Sequence, residues 1–207
     1  MSALAKELPV AGLTPFTTID YPGHLSAVIF SQGCPLRCPY CHNKQLLAFD
    51  RSSKLMPWRQ VMEFFVTRQG WLEAAVFSGG EPTAHATLAE AMSKIKKLGF
   101  LIGLHSSGVY PENFAAVLPL VDWVGLDIKA PFDEKYDLLT RMKNSAAKVR
   151  QSLDSLLAAR KPYQLRLTFD PKFHHTNDVT EINGLLNQLG ADSVVIQTLR
   201  EPVMNNL

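Results

Sequence analysis

Apolar positions fall along this chain in two alternating rhythms. Short apolar runs at 25–31, 74–78, 100–105, 122–129, 163–169 and 193–198 predict strands. Between them, apolar residues return at three- and four-residue spacing over 57–68, 83–98, 111–118, 146–160 and 178–189, which predicts helices. Pro57 and Pro111 suit first helical turns, and Gly99 and Gly190 follow predicted helix ends. Residues 132–144 have weak periodicity and read as a short helix with a loop, and 201–207 read as a tail. Repeats of solenoid length and low-complexity segments are absent from the sequence.

Strands that alternate with helices imply a parallel sheet with helical crossovers. Six such units are two short of a closed eight-fold barrel, which needs about 250 residues. A doubly wound sheet and a partial barrel both fit that count, and the strand faces separate them. In Tyr163-Gln-Leu-Arg-Leu-Thr-Phe169, the residues Tyr163, Leu165, Leu167 and Phe169 share one face, while Gln164, Arg166 and Thr168 share the other. Asp127 and Lys129 likewise point away from Val124, Leu126 and Ile128. A parallel strand covered by helices on both sides is apolar on both faces, so a polar second face predicts a wet concavity. The expected fold class is therefore α/β, a partial (β/α)6 TIM-like barrel of parallel strands. It is expected to form one domain over residues 1–207, with its core at about 20–200.

Composition narrows the class. Hydrophobic residues are 46% and charged residues 19% of 207, as in a soluble globular chain. The net charge of +2 is too small to argue for nucleic acid, and Lys94-Ile-Lys96-Lys97 and Arg160-Lys161 lie on predicted helices as solvated faces. No stretch approaches the length of a membrane span. Glu7 and Pro9 stand where a signal peptide needs an apolar run. Neither nucleic acid nor membrane is expected as a partner. A cytoplasmic setting is expected, where thiols stay reduced and free for metal.

The whole thiol supply is three cysteines within one loop, Cys34-Pro-Leu-Arg-Cys38-Pro-Tyr-Cys41, directly after the first predicted strand. An odd count excludes a closed disulfide framework, and three soft ligands are one short of a saturated tetrahedral site. Three rival readings share these residues. Cys38-Pro-Tyr-Cys41 matches a glutaredoxin-type dithiol, Cys38-Pro-Tyr-Cys41-His42 a c-type haem attachment site, and Cys34, Cys38, Cys41 and His42 a zinc site. The dithiol leaves Cys34 unexplained, haem attachment needs export, and the zinc site puts two ligands on adjacent residues. A thiolate-bound iron–sulfur cluster with one iron open uses all three thiols.

The second predicted strand ends in Ser78-Gly79-Gly80-Glu81-Pro82. Paired glycines let a ligand approach the backbone closely, and a carboxylate with bare carbonyls suits an ammonium group. By itself the segment would equally serve as an ordinary strand-to-helix turn.

Taken together, the C-x3-C-x2-C loop, Tyr40 before its last cysteine, and Gly79-Gly80-Glu81-Pro82 resemble the radical S-adenosylmethionine superfamily. The segments Thr18-Ile-Asp-Tyr-Pro-Gly23, Phe30-Ser-Gln-Gly-Cys34 and Cys41-His-Asn43 resemble the glycyl-radical activating enzymes, nearest the activating protein of anaerobic ribonucleoside-triphosphate reductase. The resemblance spans roughly residues 12–200. It implies one [4Fe–4S] cluster on Cys34, Cys38 and Cys41, with the open iron chelated by S-adenosyl-L-methionine. It also implies Tyr40 and His42 along the adenine, Gly79, Gly80 and Glu81 at the methionine amino end, and Asp127 and Lys129 near the methionine or ribose. Ser106, Arg166 and Gln197 are carried as further contacts; Arg166 and Gln197 could equally be polar residues satisfied inside the barrel.

The implied activity is reductive cleavage of S-adenosylmethionine and transfer of the radical to a glycine of a partner enzyme, anaerobic ribonucleotide reductase. With no cysteine left for a second cluster, the electron is expected from flavodoxin or ferredoxin. Two alternatives stay open: a small-molecule enzyme like 7-carboxy-7-deazaguanine synthase, and a non-catalytic iron–sulfur or zinc module. One departure stands out. Where relatives have Asp-Thr-Asn-Gly, this chain has His105-Ser106-Ser107-Gly108, which puts a bound cation there in doubt.

Overall fold

In the computed structural model, residues 7–49 and 55–198 are described. The expected tail at 201–207 lies outside them. Among the described residues, seven strands form one sheet in chain order: β1 (Val10–Thr17), β2 (Ser26–Ser31), β3 (Ala74–Gly79), β4 (Leu101–Ser106), β5 (Trp123–Asp127), β6 (Tyr163–Phe169) and β7 (Val195–Thr198). The six predicted strands are β2 to β7, and every neighbouring pair among them is parallel.

The strand β1 was not expected. It pairs antiparallel with β2, and its register slips between Val10 and Gly12 and again between Thr14 and Thr17. Its sequence carries Gly12 and Pro15, which weaken a strand signal and are tolerated at a sheet edge.

Six α-helices lie between the strands among the described residues: α1 (Trp58–Val66), α2 (Leu88–Lys96), α3 (Pro111–Val117), α4 (Glu134–Thr140), α5 (Ser145–Ala159) and α6 (Thr176–Gln188). The helix expected from residue 83 starts only at Leu88, because Glu81 caps a separate 3-10 turn over Pro82–Ala84 and His85 is extended. The weak segment 132–144 holds a complete helix, α4, capped by the Asp133 side chain on the Lys135 N–H. Its C-terminal neighbour α5 has Asn144 at the N-cap position, whose own side chain makes no cap. The Asp137 carboxylate substitutes, accepting from the N–H groups of Asn144, Ser145 and Ala146.

The outer face of the sheet is apolar. Ile29, Phe77, Leu104, Leu126 and Leu167 pack against Phe65, Met92, Phe114, Leu153 and Ile182 of the helices, all fully or almost fully buried. The inner face is layered. Tyr21, Val28, Ala74, Val76 and Trp123 form a separate apolar floor, and polar residues stand above it at the C-terminal strand ends. Gly103 leaves room for this floor, since a Cβ there would lie 3.0 Å from the Tyr21 ring.

Held flat, the first and last of six parallel strands would stand about 24 Å apart at roughly 4.8 Å per spacing. Yet Cys34, beyond β2, and Gln197, on β7, line one cavity. The sheet therefore curls into an open, partial barrel, as the polar strand faces predicted. No helix among the described residues is long and apolar enough to cross a membrane.

Candidate active site

The cavity, about 260 Å³, opens at the C-terminal ends of the parallel strands, where α/β barrels place their chemistry. Cys34, Cys38 and Cys41 line one wall with Tyr40 and His42; Ser78 to Gly80 and Ser106 follow, and Asp127, Lys129, Arg166 and Gln197 face inwards from β5 to β7. Of the residues singled out in the sequence, Glu81 alone is absent from the lining.

The cysteine loop is held at both ends. Gly33 and Cys34 donate their N–H groups to the carbonyls of Leu46 and Leu47, and the Gln32 side chain donates to Gln45 and Ala48. The Arg37 guanidinium bridges the carbonyls of Cys34 and Leu36. On the other side, Gly80 donates to Ser31 and Glu81 to Gly33 at 2.9 and 2.8 Å. A side chain at Gly80 would collide with the Gly33 carbonyl, and one at Gly79, where φ is +110°, with the Ser31 backbone. Sequence reasoning assigned these glycines to close approach by a ligand. Their steric necessity comes instead from the cysteine loop itself, and the backbone they leave bare faces the cavity.

Glu81 does not face the cavity. It is 1% exposed, and its carboxylate accepts five hydrogen bonds: from the Thr83 N–H and hydroxyl, the Ser106 hydroxyl, and the Ser107 N–H and hydroxyl. With five donors converging on it, the carboxylate ties the end of β3 to the end of β4. The Ser106 hydroxyl is also engaged, since it accepts from the Gly108 N–H at 3.0 Å.

Across the cavity, charges are paired. Arg166 donates through Nε at 2.9 Å and Nη2 at 2.7 Å to Asp127 Oδ1, and Lys129 Nζ lies 3.4 Å from Oδ2. Burial by itself would raise the Asp127 pKa, but the two cations outweigh it and bring it down to about 2. For Lys129 burial would lower the pKa, and the Asp127 carboxylate reverses that, holding the ammonium charged. Gly125 makes space for this group, because a Cβ there would sit 2.9 Å from the Arg166 guanidinium carbon. His105 stands at the same level, its Nε2 2.8 Å from the Asp20 carbonyl. Burial, then the Arg166 charge, lower its pKa to about 4. Its neutral ring thus donates at Nε2.

Two residues that sequence reasoning missed fix the backbone of Lys129. The fully buried Tyr136 hydroxyl accepts from the Lys129 N–H and donates to the Asp127 carbonyl. His174, 2% exposed, has Nε2 2.8 Å from the Lys129 carbonyl. Neither carries a motif; the only available signal was that a Tyr and a His stand near predicted strand ends. The Tyr40 ring lies 5.8 Å from that of His174 and 6.3 Å from that of Phe173, and its buried hydroxyl has no hydrogen-bond partner among the described residues.

Cys34 and Cys38 are not poised as nucleophiles. Burial, with help from the Glu81 carboxylate, pushes Cys34 up to about 12, and burial raises Cys38 as well. Reactive dithiols have lowered pKa values, so the glutaredoxin-like reading does not fit. Among the described residues, no three His, Cys, Asp or Glu side chains gather closely enough for a single metal ion, which does not favour the zinc site. Three thiols spread along the lining of one cavity suit a cluster that takes each thiolate at a separate corner.

The comparisons with known proteins follow the same line. The radical SAM superfamily model matches residues 28–171. A protein of Methanocaldococcus jannaschii, provisionally named a glycyl-radical enzyme activating enzyme, is 31% identical over 84% of this chain and 73% of its own length. A pyruvate formate-lyase-activating enzyme of Clostridium pasteurianum is 32% identical over 59% of this chain and 52% of its own. In fold, Streptococcus suis SuiB bound to S-adenosylmethionine superposes with a TM-score of 0.67 at 13% identity, over 86% of this chain and 41% of that one. Match, fold and thiol loop agree: the chain belongs to the radical SAM superfamily and is an enzyme working with a [4Fe–4S] cluster and S-adenosylmethionine, related to the glycyl-radical activating enzymes.

Proposed function

We propose that the protein is an activase that installs a glycyl radical on anaerobic ribonucleoside-triphosphate reductase. The observation that carries this reading is that one cavity at the ends of the parallel strands is lined both by the three thiols and by Asp127, Lys129 and Arg166. Cys34, Cys38 and Cys41 hold the cluster in this reading. Lys129 and Arg166 supply positive charge for the methionine carboxylate, and the bare backbone of Gly79 and Gly80 accepts its amino end. Tyr40 and His42 border the adenine, while Gln197 and Asp127 supply polar groups for the ribose side.

When bound, the reduced cluster and S-adenosylmethionine would supply a one-electron cleavage of the sulfonium carbon–sulfur bond, giving methionine and, with the hydrogen of the partner's glycine Cα, 5′-deoxyadenosine. The chain's own residues orient these groups and exclude water from them. The choice of reductase as partner rests on the resemblance at residues 18–23 and 41–43.

The test is anaerobic reconstitution, reduction, and addition of S-adenosylmethionine with the reductase. A glycyl doublet in the EPR spectrum and stoichiometric 5′-deoxyadenosine are expected, and serine at any one of the three cysteines removes both. A doublet on pyruvate formate-lyase but none on the reductase would overturn the partner. No 5′-deoxyadenosine from the iron-loaded, reduced protein would overturn the enzyme reading.

A further inference from the structure

The loop from β6 to α6 runs over the surface, with Pro171, Lys172, Phe173 and His175 exposed. His174 alone among them turns inward and is 2% exposed. Burying a polar ring is costly unless its nitrogens are bonded, and both are. Nδ1 accepts from the Asp170 N–H at 3.1 Å. The Asp170 carbonyl lies 3.2 Å from the same nitrogen but already accepts from the N–H groups of Phe173 and His174. The ring proton therefore sits on Nε2 and is donated to the Lys129 carbonyl at 2.8 Å.

Asp170 directly follows β6 and Lys129 lies two residues past β5, so one side chain ties two neighbouring strand ends together. The same ring lies 5.8 Å from that of Tyr40 in the cysteine loop and 5.6 Å from that of Phe169. Because the buried Tyr40 hydroxyl has no hydrogen-bond partner among the described residues, ring packing rather than a hydrogen bond orients Tyr40. Lys129 and Tyr40 both line the cavity with the thiols, whereas His174 does not. It touches the cofactor site only through them.

We propose that His174 is a positioning residue for S-adenosylmethionine, whose Nε2–H holds the Lys129 peptide, and thereby its ammonium group, in register with the cysteine loop. The inference rests on the assignment of Lys129 to the methionine carboxylate and is independent of which protein receives the radical. A lysine side chain is long and flexible, so its charge is placed only as well as the backbone that carries it. Freeing the Lys129 carbonyl lets that peptide turn and loosens the ammonium from the place where the carboxylate is to sit. A residue acting in this way moves cofactor affinity in protein that is folded and loaded with iron.

The experiment uses the full chain, anaerobically reconstituted, with its cluster oxidised so that S-adenosylmethionine binds without being cleaved. His174→Phe keeps a ring against Tyr40 and removes the donor; His174→Gln keeps a donor and removes the ring. Equilibrium dialysis gives the S-adenosylmethionine Kd per loaded cluster, and iron content and the urea midpoint are measured beside it. The Kd should rise about tenfold in the phenylalanine variant, the order of one lost hydrogen bond, and return close to the wild-type value in the glutamine variant. A brace that serves folding alone would lower the urea midpoint and iron content of both variants and leave the Kd of loaded protein unchanged, which overturns the proposal. An equal rise in both variants also overturns it, because the donor would then not be what matters. Lys129→Met separates the two levels. If it weakens binding and His174→Phe does not, the role of His174 fails and the Lys129 assignment stands; if Lys129→Met binds like wild type, that assignment fails and takes the proposal with it.

Discussion

At the scale of single residues, His105 shows how burial sets chemistry. Its ring meets Trp123 edge-on at 5.6 Å, donates to the Asp20 carbonyl and shares its level with Arg166, so a second positive charge is unwelcome. The unfolded chain takes a proton on this histidine near pH 6.5, the folded one only near 4. Its contribution to stability is therefore complete above pH 6.5 and is lost as pH falls from 6.5 towards 4. The melting temperature of the metal-free protein should decline across that window, and His105→Asn should flatten the decline; an equally steep curve in the variant would refute the assignment. The chemistry of Cys34, Lys129 and Arg166 was legible in the sequence, because residue type and strand alternation are local properties. Tyr136 and His174 were not, because they act on the Lys129 backbone, and His174 does so from 45 residues away.

At the scale of elements, the site is a joint between the ends of β2, β3 and β4. Glu81 forms its centre, and the glycines beside it permit backbones to touch. Glu81→Gln would replace one acceptor oxygen with an amide that also donates, leaving donors of Ser106 and Ser107 without a charged partner. A loss of about 2–4 kcal/mol is expected in urea unfolding of the metal-free protein. A cofactor-contacting role alone would leave that stability untouched and weaken only S-adenosylmethionine binding. Helix α4 shows the converse case: its periodicity is weak in sequence, and the tertiary position of Asp137 at the start of α5 supplies the order that propensity does not.

At the scale of the whole molecule, an open barrel needs a floor, and the loop before β2 provides one. Tyr21 is 6% exposed, packs on Trp123 at 5.5 Å and fills the space that Gly103 vacates. Tyr21→Ala should cost about 3–5 kcal/mol in thermal or urea unfolding, and a loss below 1 kcal/mol would show that the floor is dispensable. The segment at 18–23 was readable only as a family signature; its work as a plug depends on curvature that no local pattern encodes. By itself the sequence determined the order and type of the parallel strands, the polar inner face and the soft-ligand loop, since periodicity and donor chemistry reside in neighbouring residues. Only the tertiary structure decided that an irregular edge strand closes one side, that Glu81 turns into the protein, and that Gln197 stands in the same cavity as Cys34. Those outcomes depend on packing between strands far apart in the chain, where the shape of the whole sheet selects which side chains meet.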